Sequence, residues 1–472
     1  MEMRTLEEIG RHVDAVAPDA IALSDAVWET PELCYEEDRS CALHTAMLHK
    51  QGFAVTSRVA GIATAVMGES GAEGPVIAFL GEYDALPGLA AQAGVCQPPT
   101  TGGNGHGCGH NLLGAASLLA ATAVRRWLAA MGLPGRVRYY GCPAEEGGAG
   151  KGFMVRAGAF DGVDAAISWH PTAFCGVLPP SSLANMRIDF TFRGRSAHAA
   201  ASPHLGRSAL DAAELMNVGV NYLREHMLPT SRIHYAYINV GGSAPNVVQS
   251  EAVVRYSVRT EELADLFALA ERVKQVAQGA ALMTGTTVSS HITGGVANLL
   301  ACPPLEKVLH ESFMHLGPPP FGAAEQAFAR EIQHTLSPDD IAVAFGQIRH
   351  KRRDIALTDF ILPLDGSTFT LGSTDVGDVS WTVPTVQALG ATCAIGTPLH
   401  SWQMTAQGKS SVAHTGMIHV AKAMALTAAR LFLSPSLLQQ AHEDHARRLR
   451  EQPYICPIPA DTHPPAHARR AD

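Results

Sequence analysis

Three short apolar runs in the first half of the chain end in the same way. Pro75-Val76-Ile77-Ala78-Phe79-Leu80 leads into Gly81-Glu82-Tyr83-Asp84. Arg136-Val137-Arg138-Tyr139-Tyr140 leads into Gly141-Cys142-Pro143-Ala144-Glu145-Glu146-Gly147-Gly148, and Ala165-Ala166-Ile167-Ser168 into Trp169-His170-Pro171. Each run reads as a buried strand whose C-terminal end carries acids or an imidazole. Helical stretches alternate with these strands, which argues for a largely parallel sheet of the α/β class. In open α/β sheets ligands bind at the C-terminal ends of the strands. The pattern therefore predicts both the fold class and the edge at which a site would sit.

Between the first two runs lies Gly103-Asn104-Gly105-His106-Gly107-Cys108-Gly109-His110-Asn111. Thiolate and imidazole are ligands suited to zinc and its neighbours. On an extended segment Cys108 and His110 point the same way. The Ala/Leu-rich stretch Leu112 to Met131 reads as a buried helix behind this loop. Taken alone, such a loop is ordinarily a turn. The collected strand-end residues change the weighting: Asp84, Cys108, His110, Glu145, Glu146 and His170, with His400 in Pro398-Leu399-His400-Ser401-Trp402. A site for two metal ions needs about five to seven ligands. Adjacent glutamates resist joint ionisation unless a positive charge is near. A natural division gives one to a metal and leaves the other to take a proton. The ordinary alternatives are a solvated loop for Glu145-Glu146, a cap for Asp84 and satisfied histidines at 170 and 400.

The pattern changes near residue 183. Met186, Ile188, Phe190 and Phe192 alternate with polar residues, as in a strand with one face covered. A helix near 207–226, strands at 233–240 and 252–259, a helix at 262–279 and a strand at 287–292 complete a β-α-β-β-α-β order, the ferredoxin-like arrangement. This predicts an inserted α+β lid at 183–297. A discontinuous catalytic domain with a mixed, largely parallel sheet flanked by helices would comprise 1–182 and 298–435. A polar tail, 436–472, with a disordered end would follow. Residues 335–365 give no clear pattern. Arg349-His350-Lys351-Arg352-Arg353 reads as a solvated face, and 372–381 as a carboxylate-bearing loop.

At 472 residues, 46% of them hydrophobic, the chain can fill the cores of two or three domains. A net charge of -9, with the run at 349–353 read as a solvated face, argues against nucleic acid. No uninterrupted run of 18 apolar residues predicts a membrane span. The N-terminus lacks a signal-peptide core. Nine scattered cysteines, an odd number, suggest reduced thiols and a cytoplasmic protein.

The combination Glu82-Tyr83-Asp84-Ala85-Leu86-Pro87, Gly107-Cys108-Gly109-His110-Asn111, Pro143-Ala144-Glu145-Glu146-Gly147-Gly148, Ser168-Trp169-His170-Pro171 and Leu399-His400-Ser401 resembles the dinuclear metallo-amidohydrolases and peptidases. That family includes hippurate hydrolases, N-acyl amino-acid amidohydrolases and indoleacetyl-amino-acid hydrolases. Gly109-His110-Asn111-Leu112-Leu113-Gly114 and Trp402-Gln403-Met404-Thr405-Ala406-Gln407-Gly408-Lys409 are most similar to the B-type chains of the aminobenzoyl-glutamate hydrolases. Hippurate-type relatives carry Asp and a further His where this chain has Asn111 and Leu113. The resemblance implies a catalytic α/β domain with an inserted lid that dimerises. It implies two divalent ions, zinc or manganese, held by Cys108, His110, Glu146, His170 and His400. Glu145 would be the general base, and Asp84 would orient a ligand imidazole. Glu82 stands where relatives place a histidine. In the lid, His198 would reach a neighbouring subunit's site and steady an oxyanion. Asn246 and Arg259 would hold a substrate carboxylate.

The resemblance thus points to a hydrolase of an N-acyl amino acid, with p-aminobenzoyl-glutamate favoured, acting as a homodimer or beside a paralogous subunit. Two other readings stand against it. One is a partner subunit without turnover of its own. The other is a thiol hydrolase using Cys108 with His110.

Overall fold

The computed structural model describes residues 2–100, 102–178, 181–349, 354–364 and 372–465. Its strands, in chain order, are β1 (Ala54–Ser57), β2 (Val66–Ser70), β3 (Val76–Glu82), β4 (Arg136–Cys142), β5 (Ala165–Thr172), β6 (Gly176–Val177), β7 (Ala184–Arg193), β8 (Arg232–Asn239), β9 (Glu251–Thr260), β10 (Thr287–Val296) and β11 (Thr385–Ala391). Seven of them form one mixed sheet in the order β1-β2-β4-β3-β5-β11-β6. Its centre, β4-β3-β5-β11, is parallel. β1, β2 and β6 add on antiparallel. β3 and β11 are buried along their whole length, as strands covered on both faces must be.

Three long helices, Glu2–Trp28, His110–Met131 and Ser411–Leu433, cover one face and pack on one another. Alanines 115, 116, 120, 121, 421, 425 and 428 are fully buried there, and their small side chains let the helix backbones approach closely. His110–Met131 and Ser411–Leu433 are long and apolar enough to cross a bilayer, but their apolar windows are 83% and 78% buried in this core. On the other face the helices Gly150–Arg156 and Val376–Ser380 close a second core around Phe153, Met154, Val376 and Val379.

The second sheet, β10-β7-β9-β8, is antiparallel throughout. With the helices Ala209–Leu223 and Leu263–Thr284 it follows the β-α-β-β-α-β order. Met186, Ile188, Phe190, Phe192, Val254, Tyr256 and Val258 pack against those helices. The residues between them, Asn185, Arg187, Asp189, Arg255, Ser257 and Arg259, share the opposite, half-buried face.

Several local expectations are corrected. β11 and the short helix Val376–Ser380 arise where no element was expected. The opaque 335–365 stretch contains the helix Pro338–Gln347, which Ser337 caps by accepting a hydrogen bond from the Asp340 N–H at 3.1 Å. Of the charge run at 349–353, residues 350–353 lie outside the described residues.

The C-terminal segment is not a loose tail over its described part. Pro435–Glu451 is a helix, and the strap beyond it returns to the body of the protein. Tyr454 Oη donates to Asp378 Oδ1 at 2.8 Å, and Arg156 donates to the carbonyls of Pro459 and Thr462. Ile458 is buried against Gly152. The end expected to be disordered, 466–472, lies outside the described residues.

Candidate metal centre

The strand ends and three loops converge as the parallel sheet requires. Glu82 closes β3, with Asp84 two residues beyond, and His170 lies within β5 near its end. The Cys108 loop is a turn rather than an extended segment. Gly109 takes a left-handed φ of 77°, and His110 is the first residue of its helix. Gly107 is packed so closely that a Cβ there would meet Leu89 Cδ1 at 2.5 Å and the His400 Cα at 3.3 Å. The His400 N–H donates to the Gly107 carbonyl at 2.8 Å, which ties a loop from the far end of the chain to this one. Ala144, Ala149 and His400 all adopt positive φ values, of 60°, 57° and 58°. Such backbone strain in residues other than glycine is kept where surrounding contacts enforce it.

The turn at 143–149 sends the two glutamates to different neighbours. Glu146 Oε2 lies 3.3 Å from His400 Nε2, and its N–H donates to Asp84 Oδ2 at 2.9 Å. Glu145 Oε2 lies 4.0 Å from His110 Nε2. Asp84 Oδ1 is 3.0 Å from His110 Nδ1, so His110 presents Nε2 to the cluster. His170 Nδ1 is 2.9 Å from the Pro171 carbonyl, and its Nε2 is 3.3 Å from Cys108 Sγ. Imidazoles fixed through Nδ1 in this way keep Nε2 for a metal. The ligand atoms of Cys108, His110 and His170 lie within 4.8 Å of one another. The same holds for Cys108, Glu146 and His400, and for Glu82, His110 and Glu145. Among the described residues, His110 Nε2 and Glu146 Oε1 are buried without hydrogen-bond partners. Buried polar atoms are normally satisfied. Two orphaned lone-pair donors among a thiol, imidazoles and carboxylates fit divalent cations.

Burial pushes the Glu145 carboxyl well above the usual carboxylate range, and the charges of Glu82, Glu146 and Asp375 push it further. Asp84 would also be raised by burial, but the His110 charge and hydrogen bond overcome this and hold it low. Burial raises the Cys108 thiol as well. A divalent cation beside the thiol would reverse its shift.

His198 and Asn246 are not brought to this cluster within one chain. Both are exposed on the lid, where they neighbour each other: the Ala199 N–H donates to the Asn246 carbonyl at 3.0 Å, and His198 pairs with Val247. Arg259 lines a cavity of about 860 Å³ together with Cys108, Glu145, Glu146, His170 and His400.

Two features escaped the sequence reading. Lys151 is fully buried, with Nζ 2.5 Å from Glu82 Oε1 and 2.6 Å from Asp375 Oδ1. Glu82 Oε2 in turn lies 3.3 Å from His110 Nε2, so Glu82 links the lysine to the cluster. A lysine between two glycines gives no sequence signal, and Asp375 is 224 residues away. The second is Arg187, which lines the same cavity from β7. Strand alternation placed it opposite the lid core but gave no reason to single it out.

A model of the peptidase family M20/M25/M40 matches residues 78–298. The chain is 46% identical to the B subunit of p-aminobenzoyl-glutamate hydrolase from Escherichia coli (strain K12) over 479 residues, which covers 97% of this chain and 99% of that protein. The chain belongs to peptidase family M20/M25/M40. The A subunit of the same hydrolase, from the same organism, is 31% identical over 241 residues, 48% of this chain and 54% of its own length. Among solved structures, the Bacillus subtilis YXEP protein, a dinuclear metal-binding peptidase of the M20 family, shares the fold. Its TM-score is 0.57 at 18% identity, covering 87% of this chain and 98% of that one. As an M20 member the chain is a metallo-amidohydrolase that uses divalent metal ions, and the groups Cys108–His110–His170, Cys108–Glu146–His400 and Glu82–His110–Glu145 each bring together side chains that could hold an ion.

Proposed function

We propose that this M20 hydrolase cleaves the amide bond of an N-acyl amino acid, with p-aminobenzoyl-glutamate as substrate. The observation that carries the reading is the convergence of ligand-type side chains, with Cys108, Glu146, His170 and His400 on the wall of a cavity that also presents Arg259, and with the His110 ligand atom within 4.8 Å of those of Cys108 and His170. Near-full-length similarity to one chain of a p-aminobenzoyl-glutamate hydrolase supports the substrate. Cys108, His110, Glu146, His170 and His400 would hold two ions, the thiol favouring zinc over manganese. The bound ions would supply the positive charge that polarises the amide carbonyl and acidifies water. Asp84 keeps His110 in the tautomer that offers Nε2. Glu145, whose Oε2 lies 4.0 Å from His110 Nε2, accepts a proton from water and returns it to the leaving nitrogen. Arg259 and Asn246 bind the carboxylate of the leaving amino acid.

The exposed positions of His198 and Asn246 favour a site completed by a second copy. β8 is the edge of the lid sheet, and Tyr235, Tyr237, Ile238, Val218 and Tyr222 on and beside it are exposed apolar residues. That surface suits a homodimer built on the lid. The Escherichia coli relative is named as one of two different subunits, which adds a hetero-oligomer with a paralogous chain as the second arrangement. Nine free thiols suit a reducing compartment such as the cytoplasm. A lone Cys108–His110 nucleophile pair would not require the three further ligand-type side chains around it.

The test is direct. The metal-loaded protein should release p-aminobenzoate from p-aminobenzoyl-glutamate, carry close to two ions per chain and lose activity to a chelator. A fully metal-loaded protein inert toward a panel of N-acyl amino acids would leave the partner-subunit reading in its place. Undiminished turnover after the metal is removed would favour the thiol hydrolase.

A further inference from the structure

One face of the lid sheet carries a row of polar and charged residues, and Asn185, Arg187, Ser257 and Arg259 of that row line the cavity. The β7–β9 register sets Asn185 opposite Arg259, Arg187 opposite Ser257 and Asp189 opposite Arg255. One of the three arginines is neutralised: Arg255 donates twice to the Asp189 carboxylate, at 2.7 and 2.8 Å. The other two, Arg187 and Arg259, line the cavity, and among the described residues neither has a carboxylate partner. Both are half-buried. A guanidinium withdrawn from water without a counter-ion is unfavourable, so an arrangement with two of them calls for anionic charge from elsewhere. Burial lowers both below the ordinary arginine range, and for Arg187 the nearby Arg255 lowers it further. Arg187 is also held in place. Its guanidinium packs on the turn after Glu146, where a Cβ on Gly147 would come within 2.7 Å of Nη2.

We infer that Arg187 and Arg259 together form a clamp for two carboxylates, which selects N-acyl conjugates of a dicarboxylic amino acid over those of neutral ones. Diagonal neighbours on adjacent strands are about 7–8 Å apart at their backbones. The four bonds between the two carboxylate carbons of glutamate span roughly 5 Å when extended. Two long side chains on such a diagonal can therefore each take one carboxylate in the paired, planar geometry that guanidinium favours. One arginine alone would recognise the α-carboxylate that every amino-acid conjugate carries. The second gives the acidic side chain its own partner, and leaves a neutral side chain facing an unpaired buried charge. This inference rests on the proposed amidohydrolase function.

The experiment compares p-aminobenzoyl-glutamate with p-aminobenzoyl-glutamine, which has the same shape without the second charge. Turnover and calorimetric binding are measured on the metal-loaded full chain, for the wild type, Arg187→Met and Arg187→Lys. The wild type should prefer the glutamate conjugate. Arg187→Met should lose roughly ten- to a hundredfold in kcat/KM and in affinity for it, the range a charged hydrogen bond carries. Its loss on the glutamine conjugate should be far smaller, so that the preference collapses. Arg187→Lys, which keeps the charge without the fork, should fall between the two. Equal losses on both conjugates, or a wild type without preference, would overturn the clamp. Failure of the parent reading looks different: the wild type would bind without turning over. The binding comparison alone then decides the role of Arg187.

Discussion

Replacing Lys151 by methionine keeps the length of the side chain and removes the cation that lies between Glu82 and Asp375. All three side chains are essentially inaccessible, so water cannot screen what is left. Removing one member of a buried charge pair typically costs about 3–5 kcal/mol, because the partners remain uncompensated. For a chain of this size that corresponds to a fall in Tm of roughly 3–5 °C. The pH dependence carries the sharper test. Burial already raises Asp375 from 3.8 to about 6, with Lys151 opposing the rise. Without Lys151 its value climbs further. A carboxyl with a raised folded value contributes its stability when protonated, and loses it as pH rises through that value. The deficit of Lys151→Met should therefore be small at pH 5 and fully developed at pH 8. Urea denaturation of both proteins, each metal-free, at the two pH values gives the answer. A deficit below about 1 kcal/mol at pH 8, or one equal at both pH values, would refute the argument that charge compensation is what holds this cluster.

Three further outcomes follow from the same geometry. Glu145→Gln should retain its ions and lose about a hundred- to ten-thousandfold in turnover, whereas Glu146→Gln should lose an ion and regain some activity in excess metal; metal content beside kcat separates them, and the opposite pattern would exchange their roles. A His198 variant and a Glu145 variant, each inactive, should recover activity when mixed under conditions shown to exchange subunits; exchange without recovery would confine the site to one chain. Tyr454→Phe removes the hydroxyl that donates to Asp378, a carboxyl that burial pushes up to about 7, and should lower stability by about 0.5–1.5 kcal/mol, more at pH 8 than at pH 5, because the lost bond favours the ionised form; thermal melts at both pH values check this.

Much of this was legible because the chemistry follows the strands. β3 opens as an unbroken apolar run and β4 and β5 end in largely apolar stretches, so the polar residues at their ends stood out as one edge. The lid was legible from the alternation that begins at Met186. What was missed has physical causes. In β11 the apolar run is interrupted by Gln387 and Gly390, though the strand is buried throughout. The turn around Gly109 brings Cys108 and His110 together by a left-handed residue, not by extended alternation. Lys151 finds Asp375 only in three dimensions. Arg187 became conspicuous only once Asp189 had been seen to neutralise Arg255 and not its neighbour.

The sheet order also fixes a sequence of events during synthesis. β11 lies between β5 and β6, yet it is made about two hundred residues after them. At ribosomal rates of 5–20 residues per second, the flank of β5 waits roughly ten to forty seconds for its neighbour. Through that interval the strand bearing His170 has unpaired backbone groups along one side, the kind of edge that pairs with other chains. His400 emerges later still. The nascent chain therefore passes through a stage in which an unpaired strand edge and its incomplete ligand set are exposed together, and the arrival of one segment, 385–400, ends both.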